Sequence, residues 1–177
     1  MTDARSDGAV AWLLAGQQLL RAGGIGAVKL HALTAATGLT TGSFYHHFGG
    51  MPDFLDELAA FYGDEQVTDN LATIDETEPR ARLLRMFGIA AEQDLQTLDA
   101  AMRDWAGSST AAARAVKATD EALLTFVLDA FTELGYRGRD AELRAQMLIA
   151  YGVARVMPPW RAQQRNDSTD VLAILAP

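Results

Sequence analysis

The sequence contains no cysteine and no long apolar run, and each absence excludes a class of protein. Without cysteine there is no disulfide framework, thiolate metal site or cysteine nucleophile. No run of about 18 apolar residues occurs, and the first ten residues lack a secretory pattern. We therefore expect a cytoplasmic protein with no membrane partner. With 49% apolar and 21% charged residues, its composition is that of an ordinary globular protein.

Positive charge is also scarce, but it is unevenly distributed. The formal net charge is −8, which argues against a nucleic-acid partner because phosphate contacts need Lys and Arg. Residues 1–50 nevertheless have a formal charge of +1 and hold all three histidines, which leaves −9 on the rest of the chain. This asymmetry is a weak indication of a nucleic-acid-facing head on an acidic body.

Apolar spacing predicts three helices within the first 50 residues. The first covers about residues 8–22 and ends at a pair of glycines. The second covers about 28–36, with Gly38 as the turn residue that follows it. Thr40 is then predicted to cap a third helix with its hydroxyl group. Two short helices joined by such a turn predict a helix-turn-helix.

The third predicted helix has one apolar side and one polar side. Phe44 and Phe48 are four residues apart, so both face the core. The other side chains offer hydrogen bonds to base edges and phosphates, and the small ones allow close approach in the major groove. With two residues of the preceding helix, the predicted DNA-contacting set is Lys29, His31, Thr40, Thr41, Gly42, Ser43, Tyr45, His46 and His47.

Four of the basic and histidine side chains have a second interpretation. His46 and His47 are adjacent and diverge by about 100° on a helix, and no third ligand of suitable spacing lies nearby, so we predict no metal and no cofactor. His31 is equally well a solvated surface residue. Arg5 is interpreted either as an arm that reaches a DNA groove or as a tail residue.

The segment GLTTGSFYHHF at residues 38–48 resembles the recognition segment of the TetR family of transcriptional regulators. Its two glycines, hydroxyl residues, Tyr, His and Phe follow the order of the family pattern. Leu33 and Ala36 similarly occupy places of the family's preceding helix. The resemblance covers about residues 8–62, and it implies a dimeric regulator that binds a palindromic operator in double-stranded DNA.

Two departures from the family pattern remove positive charge. Met51 stands where the family usually has Lys, and Thr41 stands where Lys or Arg is frequent. They keep open the alternative of a TetR-like ligand sensor or protein-interaction module that does not bind DNA. An enzyme is not predicted, because the chain has no Gly-rich phosphate loop, serine elbow or His-carboxylate cluster.

The rest of the chain shows helical periodicity, with predicted caps at Thr77 and Asp140. The helix after Asp140 is apolar on two sides, so it needs the core on one side and a second subunit on the other. We therefore predict a homodimer in which residues 110–135 and 140–157 of both chains form a four-helix contact. The apolar tail after residue 170 is predicted to dock on the body or across the dimer.

The body also contains aromatic and thioether side chains suited to an apolar pocket, although core packing explains most of them equally well. The resemblance implies an effector-binding body, and we expect a small apolar or amphipathic effector. The predicted ligand-binding residues are Phe87, Met102, Trp105, Phe126, Met147 and Tyr151.

These expectations combine into one predicted architecture. The fold class is all-α, with an N-terminal three-helix helix-turn-helix head on a larger helical C-terminal ligand-binding and dimerisation body. The predicted domains are residues 1–50 and residues 51–177. The predicted function is a ligand-responsive repressor, with repression implied by the resemblance alone.

Overall fold

A computed structural model describes residues 5–153 and 167–177, and every regular element in these ranges is helical. A 3₁₀ turn occupies Ile25–Ala27, and a π-helical turn occupies Tyr62–Thr68. The α-helices of the described residues are α1 (Asp7–Gly23), α2 (Leu30–Thr37), α3 (Thr41–His47), α4 (Met51–Phe61), α5 (Asp69–Ala72), α6 (Pro79–Glu92), α7 (Leu95–Ala106), α8 (Thr110–Glu133), α9 (Gly138–Val153) and α10 (Asp167–Leu175). The predicted all-α class is confirmed.

Helices α1 to α4 pack around an aromatic cluster centred on Phe44, which is fully buried. Its ring centroid lies 5.4 Å from that of Trp12 on α1, 5.2 Å from Phe48 and 5.5 Å from Phe54 on α4. Trp12 meets it edge to face, which is a favoured aromatic geometry. Close approach of α1 and α4 requires Gly16, because a Cβ there would lie 2.8 Å from Phe54 Cζ.

The turn between α2 and α3 matches its sequence prediction, while the start of α2 does not. Gly38 has φ 69° and ψ 5°, the left-handed conformation that favours glycine, and its N–H donates to the Thr34 carbonyl. The predicted start of α2 at Val28 is wrong. Lys29 is extended, with φ −128° and ψ 149°, so the helix begins at Leu30. Val28 is still buried, as its apolar character predicts.

The chain forms two compact units, which we describe separately. The first contains the residues up to Gln66 together with Thr97–Ala118, and the second contains Val67–Gln96 and the chain from Thr119 onward. The predicted domain boundary after residue 50 therefore falls inside the first unit. The division into a DNA-binding part before this boundary and a ligand-binding and dimerisation part after it stays a prediction.

Helix α7 is joined to the first unit by a partly buried polar contact as well as by apolar packing. The Tyr62 hydroxyl donates to Asp99 Oδ1 at 2.7 Å, and Arg103 Nε donates to the other carboxylate oxygen at 2.8 Å. Tyr62 is almost fully buried, as are Met102 and Trp105 on α7. Both α7 residues are therefore core side chains of the first unit.

The second unit has its own core, which the C-terminal helix completes. Arg80 Nη1 donates to the Ala176 carbonyl at 2.6 Å, and Arg144 Nη1 donates to the Leu175 carbonyl. The tail therefore docks on the body, as one of its two predicted placements. The fully buried large side chains of this core are Leu83, Val127, Phe131, Leu148 and Leu172.

Two predicted helix caps are wrong. The Glu78 carboxylate, rather than Thr77, caps α6 by accepting the N–H groups of Arg80 and Ala81 at 3.0 and 2.6 Å. Helix α9 begins at Gly138, so Asp140 lies within its first turn and pairs with Arg144 at 3.0 Å. The predicted end of this helix near residue 157 lies outside the described residues.

The burial of Phe44 beside the exposed Tyr45 gives a matched stability test. We expect Phe44→Ala to lower the free energy of unfolding by about 3–5 kcal/mol, because it leaves a cavity among three aromatic rings. Tyr45→Ala removes an exposed ring from the same helix and should cost about 1 kcal/mol or less. Urea denaturation followed by circular dichroism measures both, and equal losses would contradict the central place of Phe44.

Candidate nucleic-acid interface

The turn that leads into α3 is held by two threonine hydroxyl groups. Thr40 Oγ1 accepts the N–H of Ser43 at 3.2 Å, which is the predicted N-cap. Thr37 Oγ1 donates to the Leu33 carbonyl at 2.9 Å and accepts the N–H of Leu39 at 3.2 Å. The backbone entering α3 is therefore fixed by local hydrogen bonds. The structural role of Thr37 was not predicted, although a Thr near a helix end commonly bonds to the backbone.

Most of the predicted contact residues of α3 share one exposed surface, which we call the α3 face and define as Thr40, Thr41, Gly42, Tyr45 and His46. Tyr45 is 59% exposed, and its ring rests edge-on against Phe44 with the centroids 5.5 Å apart. Ser43 is half-buried beside this face. The face thus combines hydroxyl groups, an imidazole and a supported aromatic ring. Gly42 has no side chain, so the backbone is accessible at this position.

The two predicted contacts outside α3 lie at the start of α2. Lys29 is the extended residue before this helix, and His31 is in its first turn; both are exposed. Among the nine predicted contact residues, Lys29 is the one with a permanent positive charge. The site therefore offers many hydrogen-bonding groups and little charge.

His47 departs from its predicted position. It was expected to be largely exposed, but its ring is half-buried against the first turn of α1, where Nδ1 lies 3.4 Å from Ser6 Oγ. Arg5 is neither a tail residue nor an arm that extends from the head. Its side chain pairs with Glu57 on α4 at 3.2 Å and lies over the Phe61 ring, 5.6 Å from the centroid. Both side chains depend on packing between helices distant in sequence.

The six predicted ligand-binding residues are divided between the two units. Met102 and Trp105 are buried in the first unit, whereas Phe87, Phe126, Met147 and Tyr151 belong to the second. Phe87 and Tyr151 are half-buried there, and Met147 is exposed.

The second unit contains an open groove of about 520 Å³ between α5 and α8. Phe126 is the one predicted ligand-binding residue that lines it. The other lining residues were missed, because they are ordinary helix positions, most of them small or charged, that carry no distinctive sequence signal. The groove is lined by Leu71, Ala72, Glu121, Ala122, Thr125, Phe126 and Asp129.

Neither a metal-binding cluster nor a membrane-spanning helix is found in residues 5–153 and 167–177. No three His, Asp or Glu side chains of these ranges are grouped so that they could hold a metal ion. None of the helices described is both long enough and apolar enough to cross a membrane.

The N-terminal part of the chain is similar to a known family of bacterial regulatory proteins. The model of the family described as "Bacterial regulatory proteins, tetR family" matches residues 13–58, which contain most of α1 and all of α2 and α3. A search of curated protein sequences finds no significant match.

Solved structures share the fold over nearly the whole chain. A transcriptional regulator from Rhodococcus sp. Rha1 has a TM-score of 0.68 at 17% identity, covering 82% of this chain and 79% of its own. Reduced NemR from E. coli has a TM-score of 0.67 at 20% identity and covers 96% and 95%. AibR, solved with isovaleryl coenzyme A and operator DNA, has a TM-score of 0.62 at 16% identity and covers 96% of both chains.

The neighbouring threonines at the start of α3 provide a second matched test. Thr40→Ala removes the hydroxyl that accepts the Ser43 N–H, so we expect the free energy of unfolding to fall by about 1 kcal/mol. Thr41→Ala removes the same group from the next, exposed position and should change it by less than about 0.5 kcal/mol. Thermal and urea denaturation measure both variants. A larger loss for Thr41→Ala would contradict the assignment of the cap.

Proposed function

Since residues 13–58 match the model of the tetR family of bacterial regulatory proteins, we propose that the chain is a sequence-specific, DNA-binding transcriptional regulator. The observation that carries this proposal is the α3 face, a polar surface on a short helix held by the buried Phe44. We further propose a homodimeric repressor that acts in the cytoplasm on a palindromic operator and responds to a small ligand. The proposal is for a binding function and assigns no catalytic residue.

The α3 face has suitable chemistry for reading the major groove. Gly42 allows the backbone to approach the bases, while Thr41, Tyr45 and His46 present hydrogen-bonding groups toward them. Lys29 supplies the phosphate contact of each subunit. With few cations, each head alone would bind weakly, so affinity and register depend on two heads acting together on one DNA.

We propose that the two-fold contact is formed by α9 together with α10. Helix α9 buries Ala141, Ala145 and Leu148 in the core, yet Leu143, Met147 and Ala150 are exposed at positions i, i+4 and i+7. An apolar stripe at helical spacing supports contact with the same stripe of a second copy.

The remaining surfaces modify the predicted role of α8 in this contact. Ile174 on α10 is 76% exposed and adds to the apolar surface of the second unit. In contrast, the exposed positions of α8 in that unit are polar or charged and include Thr125, Asp129 and Glu133. This distribution favours α10 over α8 as the partner of α9 in the dimer.

We propose that the effector binds in the second unit, in the groove between α5 and α8. Its lining includes the aromatic Phe126 together with the acidic Glu121 and Asp129, which suits an amphipathic ligand better than a purely apolar one. A ligand that favours one arrangement of the dimer changes DNA affinity by the same factor by which DNA changes ligand affinity. Of the six predicted residues, Phe126 is the one that supports this site directly.

A TetR-like sensor that does not bind DNA is the second candidate function. The formal charge of −8 and the absence of a cation at Met51 and Thr41 favour it. The two functions differ at low ionic strength, where a DNA reader still distinguishes one duplex sequence from another and a pure sensor does not.

The first test of the DNA-binding function is Tyr45→Ala. With a duplex selected from a random-sequence pool by the wild-type protein, we expect the Kd to rise about tenfold or more, because the variant loses one contact per subunit. Fluorescence anisotropy at several salt concentrations gives the Kd, with a scrambled duplex as control. Tyr45→Phe separates loss of the hydroxyl from loss of the ring. An unchanged Kd for Tyr45→Ala would remove Tyr45 from the contact set.

The dimer is tested by Met147→Glu. We expect the wild-type protein to sediment at twice the chain mass of 19.1 kDa and the variant to dissociate about 100-fold more readily, because symmetry buries the unpaired carboxylate twice. Thr132→Glu places the same charge at an exposed position of α8, outside the proposed contact, and is the matched control. Analytical ultracentrifugation compares them. A Met147→Glu dimer as tight as that of the control would exclude this stripe from the interface.

A further inference from the structure

The ring of His47 lies against the N-terminal turn of α1, beyond the aromatic cluster of the head. His47 is the last residue of α3, and its Nδ1 is 3.4 Å from Ser6 Oγ. The same Ser6 oxygen accepts the Ala9 N–H as the N-cap of α1. Its hydroxyl proton can therefore be donated to Nδ1. One serine thus caps α1 and contacts the last residue of α3.

Gly8 leaves the space in which this ring lies. A Cβ at Gly8 would be 2.6 Å from Nε2, 3.1 Å from Cε1 and 3.6 Å from Cδ2 of His47. The first distance is shorter than side chains tolerate, so any other residue at this position would displace the imidazole. Glycine disfavours a helix relative to alanine, and contact with the ring gives a physical reason for its presence in the first turn of α1.

The residue before Ser6 connects the same turn to α4. Arg5 Nε bonds to Glu57 Oε2 at 3.2 Å, and its guanidinium carbon lies 5.6 Å from the centre of the Phe61 ring. The Arg5 side chain is only 14% exposed in this position. Residues 5–8, which we call the N-terminal strap, thus contact the end of α3 on one side and α4 on the other.

The orientation of His47 also bears on the α3 face. Its ring is packed edge to face against the exposed His46 ring, with centroids 5.0 Å apart. One ring nitrogen of His47 lies 3.4 Å from Ser6 Oγ and the other lies beside Gly8, so both are next to the first turn of α1. Moving the His47 ring would remove the ring contact that supports the His46 side chain.

We propose that the N-terminal strap is a positioning device for DNA recognition, in which Ser6, Gly8 and His47 orient the C-terminal end of α3 and the His46 side chain. This rests on the proposed DNA-binding function. It replaces the predicted role of His47 as a DNA contact with an indirect one. His47 affects affinity through the geometry of the helix end.

The test is Gly8→Ala, with Gly26→Ala as its matched control. Gly26 lies in the head, and a Cβ there meets nothing within 4 Å. With the selected duplex used as the probe, we expect Gly8→Ala to raise the Kd about tenfold, the equivalent of about 1.4 kcal/mol, and Gly26→Ala to change it less than about twofold. The melting temperature of Gly8→Ala should be unchanged or higher, because alanine favours the helix.

The His47→Ala background separates positioning from direct contact. We expect His47→Ala to weaken binding about as much as Gly8→Ala, and the double variant to be no weaker than either single one. An unchanged Kd for Gly8→Ala overturns the proposal. So does a Gly8→Ala effect that persists in the His47→Ala background, because the loss then does not act through the ring.

A measurement without DNA distinguishes failure of the strap from failure of the proposed function. In the free wild-type protein we expect a nuclear Overhauser effect between the Gly8 Hα protons and the His47 ring protons, and its loss in Gly8→Ala. Absence of this signal in the wild-type protein overturns the proposed role of the N-terminal strap, whether or not the protein binds DNA. If the signal is present but no duplex is selected by the wild-type protein, the DNA-binding function and the positioning role fall together.

Discussion

The burial of Phe44 among Trp12, Phe48 and Phe54 is the contact on which the rest of the head depends. A helix of seven residues has little stability of its own, so α3 exists because this ring fastens it to α1 and α4. Every residue of the α3 face has its orientation set by that attachment. Tyr45 is directed outward because Phe44, one position earlier, is directed inward. The N-terminal strap adds a second contact at His47, the last residue of α3.

Scarcity of positive charge is the second constraint on function. A set of DNA-contacting residues in which Lys29 is the one permanent cation gains little from phosphate attraction, so the head must rely on hydrogen bonds, shape and the joint action of two subunits. The orientation of α3 then matters more than charge for DNA affinity, because electrostatic attraction to phosphates is too weak to compensate for a misoriented helix. This places weight on local devices such as the Thr40 cap and the Thr37 hydroxyl, which fix the backbone before it enters α3.

Local features were predicted well from the sequence, and those that depend on distant packing were not. The Gly38 turn, the Thr40 cap and the inward pair of phenylalanines follow from backbone conformation and a four-residue spacing, which nearby residues determine.

The half-buried position of His47 depends on Gly8, which lies 39 positions earlier. Met102 and Trp105 have the apolar and aromatic character of a ligand pocket, yet they pack in the first unit because α7 is joined there through Tyr62 and Asp99. The groove between α5 and α8 was missed because its lining residues are ordinary helix-surface residues.

The most direct test of the central claim is a nuclear magnetic resonance titration of the isotopically labelled protein with its selected duplex. We predict amide shift changes concentrated at Lys29–His31 and Thr40–His46, and weaker changes at residues 5–8. Changes absent from these segments at low salt would contradict the account.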